Sequence, residues 1–327
     1  MHLVDNIGAA DIKMEPIRAG FGRGLLAAGK QNDQIVGLCA DLTESTRMIE
    51  FAEAFPERYV EIGVAEQNLV TVASGMAAMG KVPFASSYAA FAPGRCWEQI
   101  RTTICLNDQP VKLVGSHAGI SVGPDGATHQ MLEDIALMRV LPNMVVVAPG
   151  DSVEAEKATL AIASNDKPSY IRLAREKTPV FTTADTPFEL GKAYVLREGT
   201  DVAILGTGAM TYQALVAADI LAQAGVSAEV VHVPTIKPLD ADTIIASTKK
   251  CGRVVTVEEA QIAGGFGSAV NELLSETWPM PLKRLGMQDR FGESGKPNEL
   301  LAHFGLDADH IAATVRDWVQ HMPQYHR

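Results

Sequence analysis

The 327 residues carry 28 basic and 39 acidic side chains, a formal net charge of −11. That balance disfavours a nucleic-acid or anionic-membrane binder, both of which need cationic surface, and leaves room for phosphate ligands held by a few arginines. A hydrophobic fraction of 47% with 20% charged residues belongs to a folded chain, and at this length to about two domains.

The opening MHLVDNIGAADIK is neither basic nor followed by an apolar stretch, so no signal peptide is expected. Pro16 stands where a first-turn proline would, and Ile17, Phe21, Leu25 and Leu26 then recur at helical spacing. Short runs, apolar on both faces, predict buried parallel strands at Ile35–Cys39, Tyr59–Ile62, Val82–Ala85, Val111–Val114, Met144–Val147 and Tyr170–Leu173. Between them, Val70, Ala73, Ala77 and Ala78 form a small-residue helical face, and Asp151 suits the N-cap of a helix over Ser152–Ser164. The stretch Glu176 to Phe188, with four threonines and two prolines and no period, reads as a linker. A second alternation follows. Strands are expected at Val202–Leu205, Ala228–His232, Arg253–Val257 and Leu282–Gly286, and helices at Met210–Ala224, Ala241–Lys249 and Phe266–Ser275. The fold class is therefore α/β: a parallel-sheet domain over residues 1–186 and a smaller α/β domain over 187–327.

The longest weakly polar run, Leu69–Met79, falls far short of the ~20 residues that span a bilayer, so no membrane association is expected and the cytoplasm is the expected location. Cys39, Cys96, Cys105 and Cys251 form no CxxC pair and are read as reduced core residues. Three glycine-rich points, at 20–24, 206–208 and 264–267, lack the full dinucleotide fingerprint and are read as tight turns or close packing.

Ligands of open α/β sheets sit at strand carboxyl ends, and four polar segments fall there. They are ADLTES (40–45), EIGVAEQN (61–68), SH through DGATHQ (116–130), and Arg172 with Arg175. Two histidines twelve residues apart, with no partner cysteine, do not make a metal site. By itself Glu66 is equally a first-turn carboxylate favoured by the helix dipole.

Together these segments resemble the thiamine-diphosphate enzymes of the transketolase family. EIGVAEQNL is similar to the family's invariant-glutamate segment, DGATHQ to its substrate-histidine loop, and MQDRFGESGKPNELLAHFGL to the closing segment of its C-terminal domain. The resemblance spans the pyrimidine-binding and C-terminal domains, the second half of a full-length transketolase. It implies that Glu66 hydrogen-bonds the cofactor's aminopyrimidine ring and helps to form the imino tautomer that removes the thiazolium proton. It also implies that Phe91 stacks on that ring with Tyr88 beside it, and that Asp41 lies near the cofactor at a subunit interface. His129 would act in proton transfer at the donor ketose. Asp125 would read a sugar hydroxyl, and His117 would help to hold the distal phosphate with Arg18, Ser45 and Arg175.

No diphosphate-and-Mg²⁺ motif of the GDG type is present. The resemblance therefore implies a partner, an N-terminal transketolase subunit carrying the diphosphate-binding domain, in an α2β2 heterotetramer. The expected activity is two-carbon ketol transfer from a ketose phosphate to an aldose phosphate. Half of a deoxyxylulose-phosphate synthase, the β subunit of a 2-oxoacid dehydrogenase, and a non-catalytic structural subunit are the alternatives. A dehydrogenase subunit has no need of a phosphate clamp.

Overall fold

The computed structural model describes residues 2–325. Its first sheet has seven strands in the order Thr235–Lys237, Val145–Val147, Ser169–Leu173, Lys112–Ser116, Val82–Tyr88, Ile35–Cys39, Tyr59–Glu61. Six are mutually parallel, and Thr235–Lys237 pairs antiparallel at the edge. Ile35–Cys39, Lys112–Ser116 and Ser169–Leu173 are buried at every position, as strands covered on both faces must be. Helices Ile17–Gln31 and Ser152–Ala163 lie together on one face. A Cβ on Gly20 would stand 1.8 Å from the Ser152 carbonyl oxygen, so that glycine of the 20–24 cluster seats one helix on the other rather than a nucleotide.

The second sheet runs Leu282–Met287, Val254–Gln261, Val202–Gly206, Ala228–His232, Tyr194–Arg197, with only the last strand antiparallel. Val202, Ile204, Val230, Val255 and Val257 bury one face of it beneath Met210–Gln223 and Ala308–His321. At the third glycine cluster the Glu258 carboxylate accepts the backbone N–H groups of Phe266 and Gly267. The chain's own acid thus fills the helix N-terminus where a phosphate would sit.

The stretch read as a linker is structured. Lys177–Pro179 pairs antiparallel with Met14–Pro16, and Phe181 is fully buried. Asp151 explains the fixation. One carboxylate oxygen caps its helix through the N–H groups of Val153 and Glu154, and the other accepts from Phe181 (2.8 Å) and Thr182 (2.6 Å). Strands Tyr194–Arg197 and Thr235–Lys237 were also not foreseen. The second of these crosses over to extend the first sheet, so the two sheets share a chain segment. Buried polar contacts tie them further: Arg172 donates to the Glu259 carbonyl (2.7 Å), and His232 Nε2 meets Glu154 Oε2 (2.7 Å). Among the described residues no helix is long and apolar enough to cross a membrane, and the four cysteines are free and buried.

Candidate active site

The carboxyl ends of Ile35–Cys39, Tyr59–Glu61, Val82–Tyr88, Lys112–Ser116 and Ser169–Leu173 meet at one edge of the first sheet, and the loops leaving them carry the candidate residues. Glu66 is the first residue of helix Glu66–Ala78 and is 4% exposed. The Arg95 guanidinium donates from Nη1 to its Oε2 at 3.2 Å and lies over the Phe91 ring at 4.2 Å. A turn of backbone, Arg95 N–H to the Phe91 carbonyl, sets that spacing.

Four rings form the wall beside Glu66. Tyr88 stacks on Phe91 (6.1 Å between centroids) and on His117 (3.8 Å), while His129 stands edge-on to Phe91 at 5.4 Å. His117 is buried in a left-handed backbone conformation (φ 58°) and pairs through Nδ1 with Ser116 Oγ at 2.9 Å. Burial foremost, then the charges of Arg18, Arg175 and His129, push its pKa down to about 3. His117 is therefore a neutral imidazole at neutral pH. His129 is half-buried, its Nδ1 2.8 Å from Thr128 Oγ1.

The cationic residues gather next to this wall. Arg18 donates from Nε to the Arg175 carbonyl (3.1 Å) and from Nη1 to the Ser45 carbonyl. Arg175 donates to the Val122 carbonyl (2.9 Å) and meets Asp125 at 3.4 Å. Burial first, then the Arg47 charge, holds Arg18 below its ordinary value. Like charges gathered in this way can hold an anion.

Nine of the ten candidates are thus linked by contacts or by short-range electrostatics. Asp41 stands apart. It is exposed, with φ 58°, and its N–H donates to Glu61 Oε1 at 2.7 Å. Sequence reasoning missed three residues. Arg95 carried only the signal of its four-residue spacing from Phe91. Arg47 follows Ser45 by two and has a buried Nε without a partner. Glu61 accepts N–H bonds from Asp41 and Gly63 (2.8 Å) and hydroxyl bonds from Thr43 and Tyr59 (both 3.2 Å), and so joins the loop of Ser45 to the loop that leads into Glu66.

Comparison with known proteins bears on this arrangement. Residues 14–180 match the transketolase pyrimidine-binding domain, and residues 191–311 match the transketolase C-terminal domain. The chain belongs to the transketolase family. A Methanocaldococcus jannaschii protein provisionally named a transketolase C-terminal section is 45% identical over 92% of the chain and 95% of its own length. A subunit of a 6-deoxy-6-sulfo-D-fructose transketolase from Clostridium sp. (strain MSTE9) is 43% identical over 90% of the chain and 91% of itself. The 1-deoxy-D-xylulose-5-phosphate synthase of Syntrophotalea carbinolica is 39% identical over 92% of the chain, which covers only 48% of that enzyme. A solved structure described as a split-gene transketolase in an inactive β4 tetramer superimposes with a TM-score of 0.87 at 44% identity, over 93% of this chain and 98% of that one.

Membership of the family implies use of thiamine diphosphate, and the donor set suits one end of it. A buried carboxylate able to accept an N–H bond stands beside flat aromatic faces, which fits an aminopyrimidine. Among the described residues no group of three or more His, Cys, Asp or Glu side chains could hold a metal ion.

Proposed function

We propose that this chain is the C-terminal subunit of a cytoplasmic, thiamine-diphosphate-dependent transketolase. It would move a two-carbon ketol unit from a ketose phosphate to an aldose phosphate. Its partner would be an N-terminal subunit that carries the diphosphate-binding domain and the Mg²⁺ site, in an α2β2 assembly. The observation that supports this reading is a chain of contacts from the buried Glu66 through Arg95 to Phe91, Tyr88 and His117, with Arg18 bonded to the loops of Ser45 and Arg175. A family relative described as inactive when built of one subunit type alone supports the need for a partner.

Bound thiamine diphosphate supplies the nucleophilic carbon and the electron sink for breaking a bond next to a carbonyl. The chain supplies position and protons. Glu66 would share a proton with the aminopyrimidine ring nitrogen and so favour the imino tautomer, in a dry pocket that strengthens the hydrogen bond. Phe91 and Tyr88 would line that ring, and Asp41 would lie near the cofactor at the subunit interface. His129, half-buried and free at Nε2, gives or takes a proton at the donor's carbonyl or C1 hydroxyl. His117, neutral and braced by Ser116, donates from Nε2 toward the distal phosphate without adding charge. Asp125 accepts from a sugar hydroxyl. Arg18 uses Nε and Nη1 to brace the loops of Ser45 and Arg175, so Nη2 remains for the phosphate.

The second reading is half of a deoxyxylulose-phosphate synthase, favoured by 39% identity to such an enzyme. The anion cluster suits either product class and equally a terminal sulfonate, the group on the donor named for one close relative. Co-expression with a diphosphate-domain subunit from the same organism separates the readings. Xylulose 5-phosphate with ribose 5-phosphate should give a seven-carbon ketose phosphate. Turnover of pyruvate with glyceraldehyde 3-phosphate instead would establish the synthase, and no turnover of any donor would leave a structural subunit.

A further inference from the structure

A buried carboxyl group is costly without a hydrogen-bond partner, and Glu66 is buried in the folded chain. Among the described residues its one ion-pair partner is Arg95. That guanidinium makes two contacts at once: Nη1 to Glu66 Oε2 at 3.2 Å, and its plane against the Phe91 ring at 4.2 Å. A planar group that shares a proton with the Glu66 carboxyl and lies on Phe91 is also the description of the aminopyrimidine this site is read to bind. One carboxylate edge and one ring face cannot serve both at full strength. The Arg95 side chain is 53% exposed against 4% for Glu66, so the arginine can swing into solvent while the glutamate cannot follow. Its backbone N–H bonds the Phe91 carbonyl one turn back, which keeps the root of the side chain beside that ring.

We propose that Arg95 holds the seat of the aminopyrimidine in the unloaded subunit and is displaced when the cofactor enters. The inference rests on the proposed role of Glu66 and Phe91. Arg95 keeps the Glu66 pocket formed and charge-balanced before loading, and it competes with the ring for both of its contacts. Removal of Arg95 should therefore tighten cofactor binding. A supporting arginine, one that merely orients Glu66, would do the opposite.

The test is the dissociation constant of thiamine diphosphate, measured by quenching of protein fluorescence on the assembled pair of subunits. Arg95→Gln should bind the cofactor about tenfold more tightly than the natural chain, the worth of one partly exposed ion pair together with one cation–π contact. Arg95→Lys, which keeps the charge and loses the flat face, should fall between the two. In a Glu66→Gln background the same Arg95→Gln change should have a smaller effect, because only the Phe91 contact is left to contest. Unchanged or weakened binding in Arg95→Gln, with a melting temperature that shows it folded, overturns the proposal. Failure of every variant and of the natural chain to bind thiamine diphosphate would instead refute the reading of the site, and this proposal with it. Crystals of the pair with and without cofactor give the independent check: Arg95 should lie on Phe91 only in the empty form.

Discussion

His117 offers the sharpest physical test, because its environment fixes the sign of a pH effect. The ring is buried against Tyr88, and Arg18, Arg175 and His129 oppose any charge on it, so its pKa drops from 6.5 to about 3. The unfolded chain binds a proton at residue 117 below pH 6.5, and the folded chain does not. Stability contributed by this group is therefore present above 6.5 and is lost as pH falls toward 3. From pH 7 to pH 5 that loss is about 2 kcal/mol, at 1.36 kcal/mol for each pH unit below 6.5. The replacement His117→Phe keeps a ring on Tyr88 and cannot titrate. Because residue 117 has φ 58°, any replacement carries a strain offset, but that offset does not depend on pH and leaves the slope unaffected. Urea unfolding of the isolated chain at pH 5, 6 and 7 should show the natural protein losing about 2 kcal/mol more than His117→Phe over this range. Parallel pH slopes would refute the neutral, buried imidazole, and with it the claim that His117 contributes a hydrogen bond rather than a charge to the phosphate.

Three further outcomes follow from the same geometry. Glu66→Gln in the assembled enzyme should lower kcat by about 10²- to 10⁴-fold with little change in melting temperature, the usual worth of a group that moves a proton at the reacting centre; natural turnover would remove Glu66 from the mechanism. Arg18→Met and Arg175→Met should each raise KM for a phosphorylated ketose by about ten- to a hundredfold, as loss of a charge-assisted hydrogen bond does, and leave KM for an unphosphorylated ketol donor nearly unchanged. Equal effects on both donors would show that these arginines only brace their loops. Asp134→Asn should destabilise the chain by about 3–5 kcal/mol in urea unfolding, because it leaves the Arg172 charge buried and weakens the bonds at 2.9 Å to Arg172 and 2.8 Å to Tyr170; a change below about 1 kcal/mol would show the charge repartnered.

What could be read from the sequence was whatever repeats or runs. Ile35–Cys39 forms at the expected bounds because five consecutive apolar or small residues have one stable fate in a two-faced sheet, and Ala228–His232 does so around its apolar centre, Val230 and Val231, with Glu229 and His232 buried beside it. The missed pieces depend on distant partners. Lys177–Pro179 is a strand because Met14–Pro16 lies alongside it, and Thr235–Lys237 because the edge strand Val145–Val147 is there to receive it. No local pattern encodes either meeting. The candidate site divides in the same way. Histidines flanking a glycine-rich loop and a glutamate opening a helix are visible as motifs, and they fall together. Arg95, Arg47 and Glu61 matter through what they touch, which their nearness in sequence to Phe91, Ser45 and Glu66 does not reveal.

The smaller domain then has a physical part to play in a site whose candidate residues all lie in the larger one. The loop from His117 to Gln130 is glycine-rich and by itself would sample many conformations. The smaller domain holds it at several points. The Glu259 carboxylate accepts the Ser121 N–H, Gln130 Nε2 donates to the Glu293 carbonyl at 2.9 Å, and the Gln261 N–H reaches the Leu132 carbonyl at 2.8 Å just beyond the loop. Arg172, anchored on Asp134 behind the loop, completes the tie through the Glu259 carbonyl. The contacts of Glu259 with Ser121 and Arg172 are buried, so breaking one leaves an unpaired polar group rather than a hydrated one. His117, Asp125 and His129 are thereby held in place before any substrate arrives. Such fixing of reacting groups can account for several kcal/mol of a barrier and is lost by displacements near 1 Å. Activity should accordingly depend on Glu259 and Gln130 although neither side chain belongs to the proposed set of substrate contacts.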